Sequence, residues 1–168
     1  GFAEARGEYV TWTSDDNLHH PDALEVMARH LQEHPEISMV YTDVREIDAD
    51  DNVINGHVET GDPELLERKC TVRGCLLFRR DVLESVEPFR KQWVRCHDFD
   101  FYHRIWRTFG VARIPEVHYD YRWHDASMSG DHIAHVEEEA RLLASHARSW
   151  SRSRAAWGAG YAELARTR

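Results

Sequence analysis

The residues best suited to chemistry are carboxylates at the ends of regular elements. Asp15 and Asp16 follow the run Tyr9 to Thr13, which alternates in the strand period and is rich in β-branched and aromatic residues. No strand continues through Ser14-Asp15-Asp16-Asn17, so the two acids sit where the strand stops. In open α/β sheets ligands gather at the carboxyl ends of strands, and oxygen ligands there suit a hard cation such as Mg²⁺ or Mn²⁺. The plainer reading is that the pair ends a strand and caps the next helix. Asp98 stands at the start of a second informative segment, on the side shared by Tyr102 and Ile105. There the helix dipole lowers its pKa and burial raises it, and the sequence leaves the direction open. As a helix cap it needs no chemistry at all. Asp100, two residues on, points to the other face. His124 lies in a polar run beyond the last strand, where a hydrogen-bonded loop histidine and a ligand are both compatible with its type. Twelve histidines and three cysteines invite a zinc reading, yet no pair has a recognised ligand spacing. Cys96-His97 is a poor nucleophile pair because adjacent residues point apart.

The elements that must position these groups follow from periodicity. A helix begins at Pro21, carries Leu24, Met27, Ala28 and Leu31 as its apolar stripe, and ends at His34-Pro35. Ile37 to Ile47 is a strand, Ala49 to Asn52 a turn, and Val53-Ile54 the start of a returning strand. Gly56 to Lys69 reads as a loop with one helical turn at Glu64 to Arg68. Arg73 to Arg80 is a buried strand bounded by charge, and a short helix from Asp81 stops before Pro88. His97 to Gly110 is a helix with Tyr102, Ile105, Trp106 and Phe109 at helical spacing, followed by a strand from Val111 to Tyr119. Ile133, Val136, Ala140, Leu143, Ala147 and Trp150 mark a final amphipathic helix.

Composition narrows the partners. The 168 residues carry a formal charge of −9, which argues against nucleic acid, since phosphate contacts need a basic face. Charge is uneven: residues 148–168 hold five Arg and one Glu, a basic tail following the domain over 1–147. Three cysteines without Cys-x-x-Cys spacing favour a reducing compartment over a disulfide framework. No apolar run is long enough to span a bilayer, so the expected location is cytoplasmic, with peripheral membrane contact through the tail as a further expectation.

Taken in order, the strand ending in Ser-Asp-Asp, the Pro-started helix, Val-Tyr-x-Asp, Gly-Cys-Leu-Leu-Phe-Arg-Arg-Asp-Val-Leu, His-Asp-Phe-Asp-Phe-Tyr-His-Arg and Tyr-Arg-x-His resemble the later two-thirds of an inverting family-two glycosyltransferase of GT-A fold. The resemblance covers Ala5 to about Ser129. It implies an α/β fold, a GT-A-like mixed sheet with flanking helices, and places the family's first nucleotide-binding strands ahead of the region where this chain begins. It implies a nucleotide-sugar donor and a saccharide, lipid-linked or protein hydroxyl acceptor. In the family the strand-end acids hold a divalent cation on the donor diphosphate; Asp15 and Asp16 match two of them, while Thr13 stands where the first Asp is usual. Asp98 matches the general base, with His97 in place of the usual Glu or Gln before it. His124 matches a loop histidine aimed at the metal or diphosphate. Ser14, Gly74, Cys75, His97 and Arg122 fall along the donor and acceptor walls. Alternatives from other classes are a non-catalytic sugar- or nucleotide-binding module, and a metal-dependent hydrolase using Asp15, Asp16 and nearby histidines.

Overall fold

A computed structural model describes residues 1–124 and 133–147. After a 3-10 turn at Phe2–Glu4 come β1 (Tyr9–Val10), β2 (Leu18–His19), α1 (Ala23–Glu33), β3 (Ile37–Ile47) and β4 (Val53–Val58). A second 3-10 turn at Pro63–Glu67 precedes β5 (Leu76–Arg79), α2 (Val82–Ser85), α3 (His97–Thr108) and β6 (Gly110–Arg122). The last described element is α4, a helix over residues 133–147.

One mixed sheet runs in the order β1-β5-β3-β6-β2, and β4 pairs with β3 off this path. Among the described residues β3 and β6 pair in parallel and the other strand pairs are antiparallel. The β3–β6 register shifts between Thr42↔Ile114 and Asp43↔Val117, across Pro115. A proline cannot donate to the ladder, so the irregularity falls where the sequence requires one.

Strand alternation sorts side chains onto two faces, and each face has its own helices. Val40, Val44, Cys75, Leu77 and Tyr119 meet Ala23, Met27 and Leu31 of α1. Met39, Tyr41, Leu76 and Phe78 meet Phe99, Phe101, Tyr102 and Ile105 of α3, Val82 of α2 and Leu142 of α4. Met27 and Leu31 are fully buried, each contributing about 1.5–3 kcal/mol by leaving water. This is the expected α/β arrangement, a mixed sheet with flanking helices and a GT-A-like fragment.

Several elements differ from the sequence reading, among them β4, which runs on to Val58 into the expected loop from Gly56. The expected strand Tyr9 to Thr13 forms only at Tyr9–Val10, because Thr11 turns its hydroxyl onto the Leu76 carbonyl at 2.6 Å. Leu18–His19 is an additional two-residue strand, held by the end of β6 through Leu18↔Asp120 and His19↔Tyr119. Strand β6 extends to Arg122, past the expected end at Tyr119. The basic tail over 148–168 and the segment 125–132 lie outside the described residues.

Candidate active site

The acid loop between β1 and β2 is pinned by β6. Arg122 donates from Nε to the Asp16 carbonyl at 2.8 Å and from Nη1 to the Asp48 carbonyl at 2.8 Å, and pairs with Asp51 at 2.6 Å. Its backbone N–H donates to Asn17 Oδ1 at 2.8 Å. Its guanidinium therefore ties the loop to the β3–β4 turn, which makes it a positioning group before it is a ligand-binding one. Thr13, in place of a carboxylate, bonds the Tyr119 hydroxyl at 2.7 Å. Gly74 adopts φ +100°, and a Cβ there would lie 3.3 Å from the Tyr119 ring, so the backbone approaches this tyrosine as only glycine allows.

Asp16 and His124 come together: Nε2 of the histidine lies 2.9 Å from Asp16 Oδ2. Asp16 Oδ1 is buried with no hydrogen-bond partner among the described residues. An unsatisfied carboxylate oxygen in that position calls for a cation or a donor. Asp15 and Ser14 are exposed. Among the described residues no group of three or more His, Cys, Asp or Glu side chains is assembled to hold a metal.

Asp98 occupies the first turn of α3. Its Oδ1 accepts the N–H of Phe99 at 2.7 Å. Burial pushes its carboxyl above the ordinary aspartate range, against the opposing pull of that N–H and of His97. His97 turns away, with Nδ1 3.1 Å from the Val94 carbonyl and its ring against Phe89 at 4.8 Å. Tyr102 bridges the two halves: it stacks on Trp12, in the loop between β1 and β2, at 5.5 Å. Burial first, then the neighbouring Asp98, Cys70 and Tyr119, push its phenol far up. Asp98 and Tyr119 both act electrostatically on Tyr102, and Asp16 acts on Tyr119. Tyr119 and Tyr102 are the residues that sequence reasoning missed, and their signal was a tyrosine at a strand end and one on the same helix side as Asp98.

Cysteine chemistry is disfavoured. Cys75 donates its thiol to the His118 carbonyl at 3.9 Å, and burial pushes it up to about 11. Cys96 is pushed up to about 12, again by burial. All three cysteines are free. Both buried thiols stay protonated at neutral pH, which suits packing and not nucleophilic attack. Among the described residues no helix is long and apolar enough to cross a membrane.

A mixed α/β sheet with an acid loop at one strand end and a half-buried carboxylate at the head of the facing helix defines the class. Residues 1–87, just over half of the chain, match the family described as glycosyl transferase family 2. The chain belongs to the family-2 glycosyltransferases. It is also similar to the O-antigen biosynthesis protein RfbC of Myxococcus xanthus, 29% identical over 129 residues. That similarity covers 73% of this chain and 10% of the relative, so the chain spans about a tenth of that protein's length. The family match takes in the acid loop, Gly74 and Cys75, whereas Asp98, Arg122 and His124 lie beyond it.

Proposed function

We propose that this domain moves a sugar from a nucleotide-sugar donor to a hydroxyl acceptor by inverting displacement, with Asp98 as general base. The observation that carries the reading is the carboxyl of Asp98, fixed by Phe99 at the head of α3 and raised by burial toward the range in which a base works at neutral pH. Asp98 takes the proton of the acceptor hydroxyl as its oxygen attacks the anomeric carbon from the face opposite the diphosphate. The bond from that carbon to the diphosphate oxygen breaks, and its electron pair leaves with the nucleoside diphosphate. Asp16 and His124 would hold a divalent cation, Mn²⁺ or Mg²⁺, whose charge offsets that of the leaving group. Asp15, next to Asp16 in the chain, is exposed. A saccharide acceptor accords with the relative named for O-antigen biosynthesis.

The test is Asp98→Asn in the enzyme that carries this domain, assayed by nucleoside diphosphate release from UDP-, GDP- and dTDP-sugars. The expected kcat falls by roughly 10²–10⁴-fold with donor binding nearly intact. Activity equal to the parent enzyme, with the substituted protein folded, would refute the assignment.

A further inference from the structure

The first turn of α3 is held from outside its own sequence. Its N-cap residue, Cys96, makes no side-chain cap hydrogen bond, so the amides at the head of the helix need another acceptor. Glu138 of α4 supplies one for the N-cap amide and the amide just before it. Its Oε1 accepts the N–H of Arg95 at 2.7 Å and that of Cys96 at 3.0 Å, from 43 and 42 residues further along the chain. Glu138 is only 5% exposed. Burial alone would raise its carboxyl, but the amides of Cys96, Arg95 and Val94 outweigh burial and hold it below the ordinary glutamate range. Arg141, one turn on, stands 3.8 Å from the other oxygen and is largely exposed, so the amides are the main partners.

The neighbours of Glu138 are bound to the same place. Glu139 accepts the N–H of Cys70 at 3.4 Å. The His135 carbonyl accepts the Cys96 thiol at 3.8 Å, and the His135 ring is 4.0 Å from that sulfur. Cys70, Cys96 and His135 are also groups that interact electrostatically with Asp98. One face of α4 therefore fastens both chain segments that flank Asp98, two residues beyond the capped amide of Cys96.

We infer that Glu138 is a positioning residue for Asp98: as a helix cap delivered from α4, it fixes the first turn of α3 and with it the carboxylate that faces the acceptor. This rests on the reading of Asp98 as the base. A displacement of about 1 Å at a reacting group can cost 10²-fold, so losing the cap is a kinetic event as well as a structural one.

The experiment compares Glu138→Gln and Glu138→Ala in the full-length enzyme. Gln keeps an acceptor oxygen and nearly the same volume, while Ala keeps neither. The expected order of kcat is parent, then Gln, then Ala, with Ala lower by roughly 10–100-fold and the donor KM little changed. The acid limb of the kcat profile should move in Ala and be partly restored in Gln, a response that mere loss of stability does not produce. Amide hydrogen exchange at Arg95 and Cys96 should quicken in Ala while that of α1 stays as in the parent. Unaltered kcat and acid limb in both variants, or unaltered exchange at Arg95 and Cys96 in Ala, overturns the inference. Full activity in Asp98→Asn, with exchange at Arg95 and Cys96 still quickened by Glu138→Ala, overturns instead the reading on which it rests.

Discussion

The sharpest test of the fold is Arg113→Met. Asp43 is fully buried in β3, and its carboxylate accepts five hydrogen bonds. Arg113 donates two, at 2.8 Å from Nε and 2.6 Å from Nη2. His57 donates at 2.7 Å, and Thr60 donates twice, from N at 2.9 Å and Oγ1 at 2.8 Å. Removing Arg113 leaves a buried anion with three neutral or exposed donors, and breaking such a pair from one side costs about 3–5 kcal/mol. With a urea slope of about 2 kcal/mol per molar, the unfolding midpoint should drop by roughly 2 M. The double variant Asp43→Leu/Arg113→Met removes both charges. It still strands the buried amide of Thr60, so it should cost about 1–3 kcal/mol, less than Arg113→Met alone. Burial would raise the Asp43 carboxyl, but Arg113, His57 and Thr60 overcome this and hold it far below the usual range. Its stabilisation is therefore complete above the unfolded aspartate value of about 3.9 and fades as pH falls below that toward the folded value. The midpoints of parent and Arg113→Met should converge in the same acid window. A cost under about 1 kcal/mol at pH 7, or a double variant less stable than the single one, refutes the reasoning.

Two further outcomes follow from the site and its supports. Asp16→Ala should weaken Mn²⁺-dependent binding of a nucleoside diphosphate at least about tenfold by calorimetry, and unchanged affinity would place the cation elsewhere. Asp100→Asn should lower stability by about 3 kcal/mol, because Arg104 at 2.7 Å and His146 at 2.9 Å then face an amide in a buried setting. In a thermal melt this is a drop of about 6–12 °C, and a shift within about 2 °C would show that the pair carries little weight.

What could be read from the chain was what depends on local period. The stripe of α1, the long β3 and the α3 segment with Asp98 in its first turn carry local signals, helical spacing or a run of strand-forming residues, so they survive without knowledge of neighbours. Leu18–His19 has no period, being two residues long, and exists as a strand only because β6 passes beside it. The site divides in the same way. Asp16 and Asp98 were visible as acids at element ends, and the Asp100–Arg104 pair follows from i, i+4 spacing. Arg122 reaching the Asp16 carbonyl, Tyr119 meeting Thr13 and Glu138 capping α3 span 106, 106 and 42 residues, and only tertiary structure brings them together.

The two carboxylates of α3 make the functional argument from physics that the motif order alone does not make. Asp98 and Asp100 share a helix turn, yet their environments drive them apart. Burial raises Asp98 and outweighs the amide of Phe99 and the nearby His97 and His135 that oppose it. Burial also acts on Asp100, but His146 and Arg104 outweigh it and hold that carboxyl down. Neighbouring acids with diverging affinities for protons are how one site assigns a proton-accepting role to one residue and a scaffolding role to the other. The linkage signs oppose as well. For Asp100 the folded state favours the ionised form, so its contribution is complete above the unfolded aspartate value and disappears in acid. For Asp98 the folded state holds its proton longer than the unfolded chain, so as pH rises from the unfolded to the folded value the protein loses stability and enters neutral pH with that cost in place. Asp98→Asn removes the cost. The substitution expected to slow transfer should therefore leave the fold as stable as before or more so, the pattern of a group retained for chemistry rather than for packing.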